Sequence, residues 1–194
     1  ISNCMITGNY ARYVSEGGAG VYCTNSRPVF INCMVTCNVG YEKGGGFAFV
    51  QSTATIANSV LAGNVAIYGD RGAAIYADQS NLMLINCTVA DNGGPDAKYY
   101  SDASAVRCED STIQARNSIF WNGLMQEIWQ TGGTLSLAYC DVGDAPTVVQ
   151  GLWQGIGNII ADPCFVENGY WTENPYYGSQ AVWVPGDYHL RTTG

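Results

Sequence analysis

The stretch FINCMVTCN, residues 30–38, decides the fold because the chain repeats it. An apolar segment stops at an Asn, resumes for three residues and stops at a second Asn. The same phrase returns as ISNCMITGN (1–9), IANSVLAGN (56–64), LINCTVADN (84–92) and ARNSIFWNG (115–123). Aligned on the first Asn, the copies begin at Asn3, Asn32, Asn58, Asn86 and Asn117, and Tyr139 continues the series. Their unequal spacing has one source. When the segments Asn9 to Glu16, Asn38 to Glu42, Asn64 to Asp70 and Asn92 to Ser101 are taken out, a frame of 22 residues remains each time. A repeat of this length signals a stacked architecture.

Within the frame the columns agree. Val21, Phe47, Ile75, Val106 and Ile128 form one apolar column, and Ser26, Ser52, Ser80 and Ser111 form a turn column. Phe30, Ile56, Leu84, Ala115 and Leu137 form a second apolar column, and Ile6, Val35, Leu61, Val89, Phe120 and Val142 a third. Each coil thus carries three short segments of period-2 alternation, separated by a Ser turn, an Asn bend and a variable loop. A helix is excluded, because Gly and β-branched residues crowd the segments and no apolar stripe at i, i+3, i+4 persists. Short strands that cannot bury a face alone pair with the coil above and below. The fold predicted is an all-β parallel β-helix of about six coils over 1–143, roughly 25 Å tall at ~4.8 Å per rung. An Asn at the bend donates to one neighbouring coil and accepts from the other, which predicts an asparagine ladder.

Composition narrows the function. Only 12% of residues are charged, 24 are Gly and 47% are hydrophobic, which excludes a disordered chain and suits strands and turns. A net charge of -8 with 8 Lys and Arg in all excludes nucleic acid as a partner and disfavours polyanions. No run of some 18 apolar residues is present to span a membrane as a helix. The 8 Cys include no CxxC, so zinc is not expected.

The phrases GGAGVYC (17–23), INCMVTCN (31–38) and NCTVADN (86–92) resemble those of right-handed parallel β-helix repeat proteins, in particular domains of large secreted bacterial proteins. YCDV (139–142), GLWQGIGNIIADPCFV (151–166) and VPGDYHL (184–190) look like the segment that closes such helices. The resemblance implies an extracellular or cell-envelope location and, for many members, no assigned activity. Right-handedness follows from it and from the rule for parallel crossovers. Pectate lyases and polygalacturonases share the fold, so an enzyme has to be argued from residues.

The frame aligns Glu16, Glu42 and Asp70 at the loop exit, beside Lys43, Arg71 and Asp102. Acids paired by Lys43 and Arg71 at a solvated corner compete there with a Ca²⁺ site or a catalytic carboxylate pair. The only His is His189, far from the coils in sequence, and no catalytic residue is assigned. A second column points outward and reads Tyr22, Ala48, Tyr76, Arg107 and Trp129. Its aromatic residues and Arg suit a linear platform for polysaccharide, against the plainer reading that aromatics favour sheet surfaces. Cys4, Cys33, Ser59, Cys87, Ser118 and Cys140 share a column that selects small inward side chains, so the thiols are expected to be free. Cys4 and Cys33, on neighbouring rungs, are the pair close enough for a disulfide.

After Asp144 the frame is lost, and Pro and aromatic residues dominate 144–194, which reads as a C-terminal cap over the last coil. Ile1, Ser2 and Asn3 are already in register, so the first rung is expected to be uncapped, either as part of a longer helix or as a face on which copies assemble head to tail into filaments. The function expected is a non-enzymatic extracellular structural or adhesive module contacting polysaccharide or its own copies. The alternative is a polysaccharide lyase or glycoside hydrolase acting at the acidic loop-side groove.

Overall fold

A computed structural model describes residues 1–12, 17–68, 71–95, 104–123, 126–143, 149–150, 153–175 and 179–192. Three parallel sheets of six strands each wrap a single core. The first sheet stacks β1 (Met5–Thr7), β4 (Met34–Thr36), β8 (Val60–Ala62), β12 (Thr88–Ala90), β15 (Ile119–Trp121) and β18 (Asp141–Val142). The second stacks β2 (Val21–Thr24), β6 (Phe47–Val50), β10 (Arg71–Asp78), β13 (Ser104–Glu109), β16 (Gln126–Thr131) and β19 (Val149–Gln150). The third stacks β3 (Val29–Ile31), β7 (Thr53–Ala57), β11 (Asn81–Ile85), β14 (Thr112–Arg116), β17 (Thr134–Ala138) and β20 (Trp153–Ile156). Two short strands, β5 (Val39–Gly40) and β9 (Val65–Ala66), pair where the variable loops begin. Among the described residues five turns carry a strand in all three sheets, with β1 before them and β19 and β20 after them. Within residues 1–143 five coils are thus complete, against the about six predicted there, and β19 and β20 follow beyond that boundary.

The pairing register reproduces the predicted columns. Phe47 pairs with Ile75, Ile75 with Val106 and Val106 with Ile128, while Phe30, Ile56, Leu84, Ala115 and Leu137 align in the third sheet. These side chains are buried and meet at the centre, with Phe30 edge-on to Phe47 at 4.9 Å and Phe47 stacked on Phe49 at 5.4 Å. At ~25 cal/mol per Å² of apolar surface removed from water, this continuous core is the main stabilising contribution.

Each coil turns at residues in the left-handed region. Asn3, Asn32, Asn58, Asn86, Asn117 and Tyr139 all have φ between 50 and 55°. Asn tolerates this region better than other non-Gly residues, whereas a β-branched side chain there is strained. Side-chain bonds link some of these rungs, Asn32 to Asn3 at 3.2 Å, Asn86 to Asn58 at 3.0 Å and Asn117 to Asn86 at 3.3 Å, but they are exposed. Conformation therefore explains the column more fully than hydrogen bonding does. Asn58→Gly is expected to change stability by less than about 0.5 kcal/mol and Asn58→Val to cost about 1–2 kcal/mol in urea unfolding.

Two further columns hold the corners. Ser26 N–H donates to Ser52 Oγ (3.2 Å), Ser52 N–H to Ser80 Oγ (3.0 Å) and Ser80 N–H to Ser111 Oγ (2.9 Å). In the column that selects small side chains, Cys33 N–H donates to Ser59 Oγ and Cys87 N–H to Ser118 Oγ. All eight thiols are free, Cys4 and Cys33 included; their Sγ atoms turn toward backbone carbonyls of Ser2 and Ile31.

Past residue 143 the structure departs from the predicted boundary. β19 pairs with β16 and β20 with β17, so the parallel ladders continue to Ile156. The pattern hides this because the apolar column ends in Gly155, where a Cβ would lie 1.8 Å from the Leu137 carbonyl oxygen. The chain then forms two antiparallel pairs, β21 (Phe165–Glu167) with β24 (Asp187–Leu190) and β22 (Tyr170–Trp171) with β23 (Trp183–Val184). Trp171, Trp183 and Tyr188 of this strap lie on the flank of earlier rungs, at Gly63 and Asp91. A side chain at Gly63 would collide with the Trp183 ring at 2.5 Å, so the bare glycine forms the seat.

Candidate functional site

The outward stripe is in register as predicted: Tyr22 pairs with Ala48, Ala48 with Tyr76, Tyr76 with Arg107 and Arg107 with Trp129. Its side chains, however, are engaged with one another. The Lys43 ammonium lies 4.5 Å from the Tyr76 ring centroid and donates to its hydroxyl at 2.9 Å, and that hydroxyl donates to Glu109 at 2.7 Å. Arg107 Nε donates to the same carboxylate at 2.9 Å, and the guanidinium stands 4.9 Å from the Trp129 ring. Burial, then the Glu109 hydrogen bond and charge, push the Tyr76 hydroxyl far above its ordinary range. Burial alone would raise Glu109, but the bonds from Tyr76 and Arg107 and the charges of Arg107 and Lys43 hold it below its ordinary value. Tyr76 is only 2% exposed, whereas Tyr22 is 43% exposed. A sugar ring stacking along the whole stripe would have to displace Lys43 from Tyr76 and Arg107 from Trp129.

Glu42 is half-buried, whereas Glu16 and Asp70 lie outside the described residues, as do Asp102 and the Arg71 side chain. Lys43 reaches Tyr76, which differs from the predicted ion pair at the loop corner.

Sequence reasoning missed the second Asn of each phrase. Asn9, Asn38, Asn64, Asn92 and Asn122 form one continuous ladder in which each side-chain amide donates to the next Oδ1: Asn9 to Asn38 at 2.8 Å, then Asn38 to Asn64, Asn64 to Asn92 and Asn92 to Asn122, each at 2.9 Å. The backbone N–H of Asn9, Asn38, Asn64 and Asn92 donates to the same acceptors. From Asn38 onward the ladder is buried. All five amides point one way, so the far end requires an acceptor. Glu127 is that acceptor. It receives Asn122 N–H at 2.8 Å and the Asn122 side-chain amide, and it is 1% exposed. The signal was present in the frame: the residue before the first apolar column is Gly20, Gly46, Ala74 and Ala105, then Glu127. Desolvation pushes the Glu127 carboxyl up to about 7, opposed by the Asn122 hydrogen bonds and reinforced by the charge of Asp91.

Asp91 is a half-buried acid on the same flank and the point where the strap is tied down. It accepts from Asn168 Nδ2 at 3.2 Å, Gly169 N–H at 2.8 Å and Tyr188 hydroxyl at 3.0 Å. Burial raises its carboxyl above the ordinary value in spite of these donors. Trp171 Nε1–H donates to the Gly63 carbonyl at 3.1 Å, and Trp171 packs on Trp183 at 5.6 Å. Between strap and first sheet runs a cleft of about 830 Å³. Met5, Thr7, Met34 and Thr36 form its floor, Tyr10 and Asn9 one end, and Trp171, Val182 and Trp183 the strap wall. None of its described lining residues is charged. Thr36 and Thr7 hydroxyls are 3.2 Å apart along the floor. A size within the usual 300–1,000 Å³ range, apolar walls and a few hydroxyl and amide groups are the features of a small-ligand site. No group of three or more candidate metal ligands occurs among the described residues.

Residues 1–141 match the family model for a right-handed β-helix region. No curated protein and no solved structure matches the chain.

Proposed function

The chain belongs to the right-handed β-helix family, and from that premise we propose that it is a non-catalytic extracellular structural and adhesive module that holds uncharged polysaccharide in the cleft beneath its strap. The observation that carries this reading is the uncharged lining of that cleft on a chain of net charge -8. A charged ligand would enter it without a counter-charge, whereas a neutral sugar chain can lay its C–H faces on Met5, Met34 and Val182 and its hydroxyls against Thr7, Thr36 and Asn9. The scaffold role is supported by where the polar side chains are spent: Asn, Ser and Glu127 hydrogen-bond along the stack, and Lys43, Tyr76, Arg107 and Glu109 engage one another.

The test is an array of neutral and acidic polysaccharides with analysis of released sugars. Binding to neutral chains without new reducing or unsaturated ends is expected, and Thr36→Glu, which places a charge on an exposed stretch of the cleft floor, should weaken it at least about tenfold. Release of oligosaccharides would favour the enzyme reading, and binding unaffected by Thr36→Glu would move the site elsewhere.

A further inference from the structure

The strap and the helix enclose a second cavity, of about 310 Å³, lined by Asp91, Gly93 and Gly123 on the helix and by Tyr170, Trp171 and Trp183 on the strap. Trp171 and Trp183 also line the cleft, so the two spaces share a wall. Their chemistry differs. The cleft is uncharged, whereas the smaller cavity combines three aromatic residues with one carboxylate. Asn168 Nδ2 donates to Asp91 Oδ1, and Gly169 N–H and the Tyr188 hydroxyl donate to Oδ2. Donors of this kind favour the ionised acid, yet all three are neutral, so a half-buried negative charge is left without a counter-charge. Among the described residues no Lys or Arg acts on Asp91. Its acidic neighbour Glu127, bonded to Asn122 of the cavity wall, carries the same sign of charge when ionised. We propose that this cavity binds a quaternary ammonium group of the choline type.

The hydrogen-bond inventory selects the methylated cation. A carboxylate offers about four acceptor positions, and three of those on Asp91 are taken. A primary ammonium brings three N–H donors that would compete for the remainder, and a metal ion needs several free oxygen ligands. A quaternary ammonium has no N–H to satisfy and draws its affinity from aromatic faces and a nearby negative charge. The rings are fixed before any ligand arrives. Trp171 is held by its Nε1–H bond to the Gly63 carbonyl at 3.1 Å. Trp183 is held between Gly63 and Gly169, where a Cβ at either position would lie 2.5 Å from the ring. The two indoles are inclined at 55° with centroids 5.6 Å apart, which makes them a corner and not a closed stack. Walls set in advance lower the ordering cost of binding.

Titration of the isotope-labelled chain with choline chloride, against sodium chloride at the same ionic strength, reads the site at the Gly93 and Gly169 N–H resonances. Saturable shifts are expected there, with Thr7 and Thr36 of the cleft floor unmoved. Dimethylbutanol, the uncharged carbon isostere of choline, should bind at least about tenfold more weakly, and methylammonium more weakly than tetramethylammonium. Asp91→Asn should weaken choline about tenfold and leave dimethylbutanol unchanged. Should that variant release the strap, seen as lost exchange protection of the Thr172 N–H that donates to Val182, Tyr170→Leu takes its place. It keeps an apolar side chain without the ring, and a loss of at least about threefold is expected. The proposal is overturned by the absence of a saturable shift, by equal binding of choline and dimethylbutanol, by tighter binding of methylammonium, or by full choline affinity in the variant. It goes beyond the polysaccharide reading and fails separately from it, since none of these probes is a sugar.

Discussion

Replacing Asn64 by Leu should destabilise the chain by about 4 kcal/mol or more, enough to unfold much of it at 25 °C. Asn64 sits in mid-ladder and is fully buried. Its Oδ1 accepts both the Asn38 backbone N–H and the Asn38 side-chain amide, and its own amide donates to Asn92 Oδ1 at 2.9 Å and to the Val35 carbonyl at 2.8 Å. Leu fills a similar volume but leaves these groups unpaired in the interior, at about 1–3 kcal/mol for each buried group that finds no other partner. The neighbours cannot turn to water, because Asn38 and Asn92 are buried as well. Urea unfolding followed by circular dichroism measures the loss, and a cost below about 1 kcal/mol would mean that the ladder does not support the stack.

Global stability should fall by about 3 kcal/mol as pH rises from about 4.5 to above 7, through Glu127 alone. The carboxyl sits at about 7 in the folded chain against an ordinary value of 4.5, so the folded state binds its proton more tightly. A group raised in this way contributes its full stability below the unfolded value and loses it as pH climbs through the folded one. Glu127→Gln should flatten this segment of the stability profile, whatever its effect on the absolute stability. An unchanged slope would mean that Glu127 does not carry the titration. Asp91, also raised by burial, contributes a slope of the same sign.

Much of the fold was legible because a stacked helix writes its register into the sequence. Phe30, Ile56 and Leu84 are equivalent in the repeat and are directly paired in the sheet, since neither rung can slip without moving an apolar side chain out of the core. The bends were legible as Asn positions but not as left-handed residues, because a ladder and a positive φ select the same amino acid. Tyr139, at φ 55°, is the member of that column that separates the two, having no amide to donate.

The site was legible only in pieces. The order Tyr22, Ala48, Tyr76, Arg107, Trp129 was correct, but the position of Lys43 over Tyr76 depends on a loop whose path no column fixes. Glu127 was visible as a break in a run of Gly and Ala, yet its meaning required knowing that the adjacent Asn side chains run in one direction. The cleft was not visible at all. It joins Met34 and Thr36 to Trp183, residues from opposite ends of the chain, and nothing periodic connects them.

We propose that neutral polysaccharide lies under the strap. Titration of the isotope-labelled chain with such a polysaccharide, followed through its backbone and indole N–H resonances, reads that site. Shifts should concentrate at Thr7, Thr36, Val182 and the Trp183 indole, with the outward stripe from Tyr22 to Trp129 unmoved. Shifts confined to Tyr76, Arg107 and Trp129, or none with any neutral polysaccharide, would contradict it.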